Sequence, residues 1–168
     1  MPADFETCPG CGALVPELDE PVHPYIGASP GCWALYGEVL GREYGDYTRY
    51  APIHRLTVDA YAAQHPGESS PQAIGSVGAH LIRLYLILER GLPPERANAA
   101  MRWATRRKRE FAWLEPPPST GEVTVLDVLR VAEPDEHIRR VREWARSVWE
   151  AWSPHHETIR SWAAGYPV

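Results

Sequence analysis

The run CPGCG at residues 8–12 constrains this chain more than any other feature of its sequence. Cys8 and Cys11 lie in a turn whose proline and glycines bring both sulfurs toward one point and leave backbone N–H groups free to bond thiolates. A third cysteine, Cys32, follows, and an odd number of cysteines argues against a disulfide framework. No strand-turn-helix pattern of the redox Cys-x-x-Cys type surrounds the pair. The sequence therefore predicts a zinc site, with a redox pair or idle thiols in a structural turn as the alternatives.

Composition narrows the class of protein. Hydrophobic residues make up 44% of the 168 residues and charged residues 23%, which is typical of a folded, soluble protein. The formal net charge of −5 disfavours a general nucleic-acid binder. The start, MPADFETCPG, is acidic and has no apolar run, and the apolar stretch 81–88 is interrupted by Arg83 and too short to cross a bilayer. We therefore expect a cytoplasmic protein that does not enter a membrane.

Proline and glycine divide the chain into an extended N-terminal arm and a series of helices. Ser29 and Ser70 each precede a proline, the pattern of an N-cap followed by the first helical residue. The run PPP at 116–118 is a break and linker. Helices are predicted at 31–44, 51–64, 71–90, 93–113, 124–131, 134–152 and 155–164. The sequence thus predicts an all-α bundle of five to seven helices in a single domain, 1–168. It comprises a zinc-knuckle arm (1–30), a helical bundle (31–113) and C-terminal helices packed on it (119–168).

A structural zinc site requires a fourth ligand, and helix register selects the candidates. If the first two helices form an antiparallel hairpin, Cys32 lies opposite about residue 63, so His65 ends the second helix at the same end of the bundle. His23, between two prolines, is the local rival, and His54, His80 or water remain open. A water ligand would make the zinc catalytic, but three thiolates reduce the Lewis acidity of the ion. The prediction is a mainly structural zinc bound by the three cysteines and His65, with His23 as the alternative fourth ligand.

Two histidines of the helices require a separate explanation. His54 is eleven residues from His65, about 16 Å along a helix, so both cannot bind one ion. Folding the second and third helices together places His80 opposite about residue 56, within one turn of His54, with Asp59, Glu38 or Glu43 nearby. This arrangement favours a second metal site, a general acid–base histidine, or two core histidines with satisfied hydrogen bonds. His54, Asp59 and His80 are therefore the candidate catalytic residues of a metal-dependent enzyme that performs hydrolysis or group transfer.

A basic run and a set of tryptophans are open to two interpretations each. Arg102, Arg106 and Arg109 share one helix face, which would suit phosphate or nucleic acid, but arginine is favoured over lysine throughout this chain, so a solvated face is the alternative. Trp144, Trp149 and Trp152 occur in one predicted helix. They indicate either core packing or a tryptophan-lined surface or pocket for a protein partner or a small molecule.

Four stretches carry a resemblance to a known family. They are CPGCG (8–12), ASPGCW (28–33), HRLTVDAYAAQHPG (54–67) and HLIRLYLILERG (80–91). Together they resemble a bacterial domain family of unknown function, and the resemblance extends over most of the chain. It implies that these stretches belong to one unit, and it implies no activity.

The leading functional hypothesis is a small soluble zinc-binding helical protein, with a tryptophan-lined surface or pocket for a protein partner or small ligand. A metal-dependent enzyme and an accessory factor for anions or nucleic acid are the alternatives. No phosphate loop, nucleophile elbow, zinc-protease helix or dinucleotide fingerprint occurs in the sequence.

Overall fold

Residues 4–168 are described by a computed structural model, and they form the all-α bundle with an N-terminal arm that the sequence predicts. The seven α-helices of this part of the chain are α1 (Pro30–Gly45), α2 (Tyr47–Gln64), α3 (Pro71–Leu88), α4 (Ala97–Arg106), α5 (Val125–Leu129), α6 (Pro134–Ala151) and α7 (His156–Ala163). Short 3-10 turns lie at Pro94–Arg96, Lys108–Glu110 and Ser153–His155.

The predicted caps begin three of these helices. The Ser29 hydroxyl accepts a hydrogen bond from the Cys32 N–H at 3.4 Å, and the Ser70 hydroxyl accepts one from the Ala73 N–H at 3.0 Å. At the start of α5, the Thr124 N–H donates to Asp127 Oδ2 at 2.8 Å. Each bond satisfies a backbone or capping group that would otherwise lack a partner in the first turn, so these starts follow from local sequence.

Two predicted boundaries are wrong. Helix α2 begins at Tyr47, four residues before the predicted start, and carries Pro52 inside it. Pro52 is the sixth residue of this helix, so it lies beyond the first turn and lacks the N–H that would bond the Thr48 carbonyl. The predicted helix 93–113 is a 3-10 turn, α4 and a second 3-10 turn. The chain turns there so that the Phe111 ring packs on Gly78, where an added Cβ would lie 2.5 Å from the ring.

The N-terminal arm contains a small antiparallel hairpin, which the sequence did not predict. Strand β1 (Phe5–Thr7) pairs with β2 (Leu14–Pro16), with Phe5 opposite Pro16. The hairpin docks on the start of α1 so closely that a Cβ on Gly31 would lie 1.8 Å from the Pro16 carbonyl oxygen. Glycine is therefore required at this contact.

The core lies between α2, α3 and α6. Trp144 and Trp152 are fully buried, and Trp149 is 5% exposed. The Trp152 indole donates to the Ala63 carbonyl at 3.0 Å and the Trp144 indole donates to Gln64 Oε1 at 2.9 Å. These tryptophans thus join α6 to the C-terminal end of α2 as core residues.

Across residues 4–168, every helix is too short or too polar to span a bilayer.

Candidate metal centre

Cys8, Cys11, Cys32 and His65 converge at one end of the bundle. Their ligand atoms all lie within 4.8 Å of one another. The Sγ atoms of Cys11 and Cys32 are 3.9 Å apart, and Cys32 Sγ is 3.4 Å from His65 Nε2. A tetrahedron with Zn–S bonds of about 2.3 Å and a Zn–N bond of about 2.0 Å has an S–S edge of about 3.8 Å and an S–N edge of about 3.5 Å. The two measured separations therefore match the edges of a tetrahedral site.

Three separate elements supply the four side chains. Cys8 and Cys11 lie in the turn between β1 and β2, where the Cys8 N–H donates to the Ala13 carbonyl at 2.9 Å and Gly12 has a φ of +76°. Cys32 is in the first turn of α1, where the helix dipole favours a thiolate. His65 caps the end of α2. The ends of these elements meet because α1 and α2 run antiparallel from a shared turn.

The orientation of His65 is set by Tyr61, one turn earlier in α2. The His65 Nδ1–H donates to the Tyr61 carbonyl at 2.7 Å, which leaves the Nε2 lone pair directed at the sulfurs. The Tyr61 hydroxyl donates to Cys32 Sγ at 3.5 Å, and its ring stacks on His65 with centroids 4.1 Å apart. Metal-binding histidines commonly donate their second ring nitrogen to a carbonyl in this way. Sequence reasoning missed Tyr61, although its spacing of four residues from His65 could have indicated it.

Hydrogen bonds among the three cysteines shift their pKa values in different directions. Hydrogen bonds from Cys11 and Cys32 lower the pKa of Cys8 against the opposing effect of burial. A hydrogen bond with Cys32 lowers the pKa of Cys11, but its bond with Cys8 and burial prevail and raise it to about 11. Hydrogen bonds with Cys11 and Cys8, together with burial, raise the pKa of Cys32. Only a cation among the sulfurs would let all three ionise, because three buried thiolates otherwise repel one another.

The segment 119–123, called the strap below, follows the triple-proline run and holds the cysteine turn against the bundle. The Thr120 hydroxyl is 3.0 Å from the Gly10 carbonyl and 3.1 Å from the Gln64 carbonyl. The Gln64 side-chain amide donates to the Val123 carbonyl at 2.9 Å. A Cβ on Gly10 would lie 2.4 Å from His65 Cδ2, so the turn and the histidine ring are in direct contact. Gln64 and Thr120 are thus supporting residues that the sequence analysis did not identify.

His23, the alternative fourth ligand, lies outside the four-residue cluster. Its exposed ring is 4.2 Å from the Tyr25 ring and 6.3 Å from the Trp33 ring, measured between centroids. It lines a small cavity of about 130 Å³ together with aromatic residues of α1 and α2, Trp33, Tyr36 and Tyr61. The cavity therefore shares Tyr61 with the cysteine site.

Asp59 and His80 form one hydrogen-bonded unit across α2 and α3. Asp59 Oδ1 is 2.7 Å from His80 Nδ1, and Arg83 binds both carboxylate oxygens of Asp59, with Nε at 2.8 Å from Oδ2 and Nη2 at 2.8 Å from Oδ1. Asp59 is fully buried, whereas the His80 side chain is 18% exposed. Arg83 was not identified from the sequence.

His54 has different partners from His80. Its Nδ1 donates to Glu43 Oε2 at 2.6 Å, and its Nε2 is 3.2 Å from the Tyr44 hydroxyl. Glu43 Oε1 also accepts from Thr57 at 2.6 Å and from His137 Nε2 at 2.9 Å. The structure thus brings Asp59 and His80 together and places His54 in a second network, in which Glu43, Thr57 and His137 are also fully buried and Tyr44 is exposed.

The basic run faces solvent but does not lie on one helix, because Arg109 is in the 3-10 turn Lys108–Glu110 that follows α4. Arg102, Arg106 and Arg109 are exposed. The neighbouring Arg107 lies over the Trp103 ring, 4.7 Å from its centroid, and pairs with Glu110 at 2.9 Å. The aromatic contact of this region therefore belongs to a residue outside the predicted trio.

These features define a small helical protein with a cluster of three cysteines and one histidine at the junction of its arm and bundle. The chain belongs to a family of unknown function, DUF5946, whose model matches residues 6–153. A search of curated proteins found no significant match. A search of solved structures found none either.

Proposed function

We propose that the protein binds one structural zinc ion through Cys8, Cys11, Cys32 and His65, and that the adjoining aromatic cavity binds a small molecule. The observation that carries the first part is the convergence of the four ligand atoms within 4.8 Å, with His65 Nε2 facing the sulfurs. Three thiolates and one imidazole are a donor set that zinc prefers.

The proposed zinc is structural because its four ligands come from the protein. A catalytic zinc keeps a position for water, and three thiolates oppose the polarisation of that water. The ion would join the hairpin turn, the start of α1 and the end of α2, and so hold the arm against the bundle. The arm, bundle and C-terminal helices would then fold as a single domain, and the free thiols suit the reducing cytoplasm.

The small-molecule cavity is supported by its shape and its walls. Tyr36 and Tyr61 stack with centroids 3.8 Å apart, and Trp33 lies 5.5 Å from Tyr36. Aromatic walls around a concave site suit a planar apolar ligand. Trp33 is the tryptophan of this cavity, because Trp144 and Trp152 are occupied in the core.

Metal analysis tests the zinc proposal. Protein purified without added metal should contain about one zinc per chain, and X-ray absorption should show three sulfur neighbours and one nitrogen neighbour. His65→Gln should lose zinc to a chelator much faster than the parent. His23→Gln is the matched control and should retain it. Metal-free folded protein, or zinc retention that depends on His23, would contradict the proposal.

Hydrogen exchange tests the structural role of the ion. Removing zinc should raise amide exchange in the hairpin and at the start of α1, while α3 and α6 keep their protection, because the ion joins only one end of the bundle. This role would be refuted if exchange rates were the same before and after chelation. It would also be refuted if they rose equally throughout residues 4–168.

A second candidate function is an enzyme that uses His80 as a general base in hydrolysis or group transfer. It is favoured by the bond between His80 and buried Asp59, an arrangement that orients a histidine for proton transfer. His54 would support this activity only from its separate network. The metal-dependent form of this hypothesis requires a second ion, so a stoichiometry near two metals per chain would favour it.

A further inference from the structure

Two cavities meet at His80. The aromatic cavity of about 130 Å³ and a larger one of about 270 Å³ share three lining residues, Tyr25, Ser76 and His80. The larger cavity is more polar, with Gln72, Thr105 and Lys108 in its wall. His80 therefore lies in the wall that an aromatic chamber and a polar one share.

The hydrogen bonds of Asp59 determine which nitrogen of His80 faces this junction. Asp59 accepts from the guanidinium of Arg83 at three N–O distances of 2.8–3.0 Å, so it is a carboxylate and can only accept. His80 Nδ1 must then carry a proton and donate to Asp59. In the neutral ring His80 Nε2 then carries the lone pair, and within residues 4–168 this nitrogen makes no hydrogen bond.

Burying the Asp59–Arg83 ion pair costs desolvation free energy, and packing α2 on α3 does not require such a pair. Asp59 is fully buried and Arg83 is 3% exposed, and apolar residues at these positions would pack α2 on α3 without desolvating charges. The pair holds the carboxylate rigidly against His80. It would also stabilise an imidazolium if His80 accepted a proton from a ligand.

The two cavities that meet at His80 are called the groove here. We propose that the groove binds a hydroxylated aromatic compound, whose ring occupies the aromatic chamber and whose hydroxyl donates to His80 Nε2. A cavity of about 150 Å³ is enough for one benzene ring, close to the volume of the smaller chamber. The proton of an acidic phenol then moves to His80: the O–H bond breaks, the proton forms an N–H bond at Nε2, and the ligand becomes a phenolate beside the imidazolium. Asp59 is the positioning residue. This inference rests on the small-molecule cavity proposed above.

Direct binding of 4-nitrophenol and of nitrobenzene tests the proposal, because the two differ by the hydroxyl. At a pH where free 4-nitrophenol is mostly protonated, bound 4-nitrophenol should show the visible absorbance of the phenolate. It should bind about tenfold more tightly than nitrobenzene, the worth of one good hydrogen bond. His80→Gln should remove both the preference and the absorbance change. His155→Gln, the same substitution at a histidine outside the groove, should alter neither.

Nitrogen NMR of the His80 ring tests the role of Asp59 separately from stability. The parent should show Nδ1 protonated and Nε2 unprotonated. In Asp59→Asn, the tautomer ratio should move toward protonated Nε2 and the preference for 4-nitrophenol should fall. An unchanged tautomer in a folded Asp59→Asn would overturn the positioning role. If that variant does not fold, His80→Gln still decides the proposal.

The outcomes separate this inference from the proposed function. Equal binding of both probes, or a preference that survives His80→Gln, overturns the hydroxyl recognition and leaves the cavity as a binding site. Binding of neither probe overturns both the ligand class and the small-molecule role of the cavity. Neither result bears on zinc, which is tested by metal content.

Discussion

Replacing Glu43 with alanine should strongly destabilise the fold. Glu43 is fully buried and its two oxygens accept three hydrogen bonds, from Thr57, His137 and His54. These donors lie on α2 and α6, whereas Glu43 is on α1. The carboxylate therefore joins three helices that are distant in the sequence.

The magnitude follows from the donors that would be left without a partner. Each buried unsatisfied donor costs about 1–3 kcal/mol, and removing one member of a buried charged network typically costs about 3–5 kcal/mol in total. We expect Glu43→Ala to lower the free energy of unfolding by about 4 kcal/mol and the Tm by about 8–16 °C for a chain of this size. Glu43→Gln keeps one acceptor oxygen and should cost about 2 kcal/mol.

The same carboxylate should make stability depend on acid. Burial by itself would raise the pKa of Glu43, but hydrogen bonds from His137, His54 and Thr57 outweigh it and lower the pKa below the ordinary 4.5. A group whose pKa is lower in the folded state contributes stability above its unfolded pKa and loses it as the pH falls through the folded value. The parent should therefore exceed Glu43→Gln in free energy of unfolding by the whole difference at pH 7. This difference, the stability gap, should narrow below about pH 4.5.

Urea unfolding followed by tryptophan fluorescence and circular dichroism, at equal metal content, measures both effects. The matched control is Glu38→Gln on the exposed side of α1, which should change the free energy of unfolding by less than about 0.5 kcal/mol. If Glu43→Ala is as stable as Glu38→Gln, or if the gap is the same at pH 4 and pH 7, the reasoning about this network is refuted.

Two further substitutions test the contacts around the cysteine site. Gly10→Ala should cost about 1–3 kcal/mol and speed zinc loss to a chelator, because its Cβ would lie 2.4 Å from His65 Cδ2. Gly37→Ala, an exposed helical control with no atom within 4 Å of the added Cβ, should instead stabilise by about 0.5–1 kcal/mol; equal effects in a melting assay would contradict the packing argument. Thr120→Val should cost about 1–2 kcal/mol in urea unfolding, since it removes the donor shared by two carbonyls. The exposed Thr105→Val should cost less, and the reverse order would disprove the role of the strap.

Local sequence was sufficient for most of the helices and for the end of the bundle at which the site forms. Ser29, Ser70 and Thr124 begin helices because a short side chain can satisfy the nearby backbone, which depends on a few neighbouring residues. Helix length and a single turn also predict that Cys32 and His65 lie at one end, since α1 and α2 are of similar length and antiparallel. The expected membership of a family of unknown function is confirmed by the match over residues 6–153.

Only the tertiary structure decided which polar groups become partners. Sequence register placed His54 opposite His80, yet His54 bonds Glu43, which bonds His137 at a separation of 94 residues. Periodicity shows which face of a helix is buried. It does not show the rotation and depth at which that face meets another helix, and a hydrogen bond depends on a few tenths of an ångström in both. The hairpin of the arm, the Arg83 clamp on Asp59 and the tautomer of His65 all depend on such contacts, so they arise only when distant segments pack.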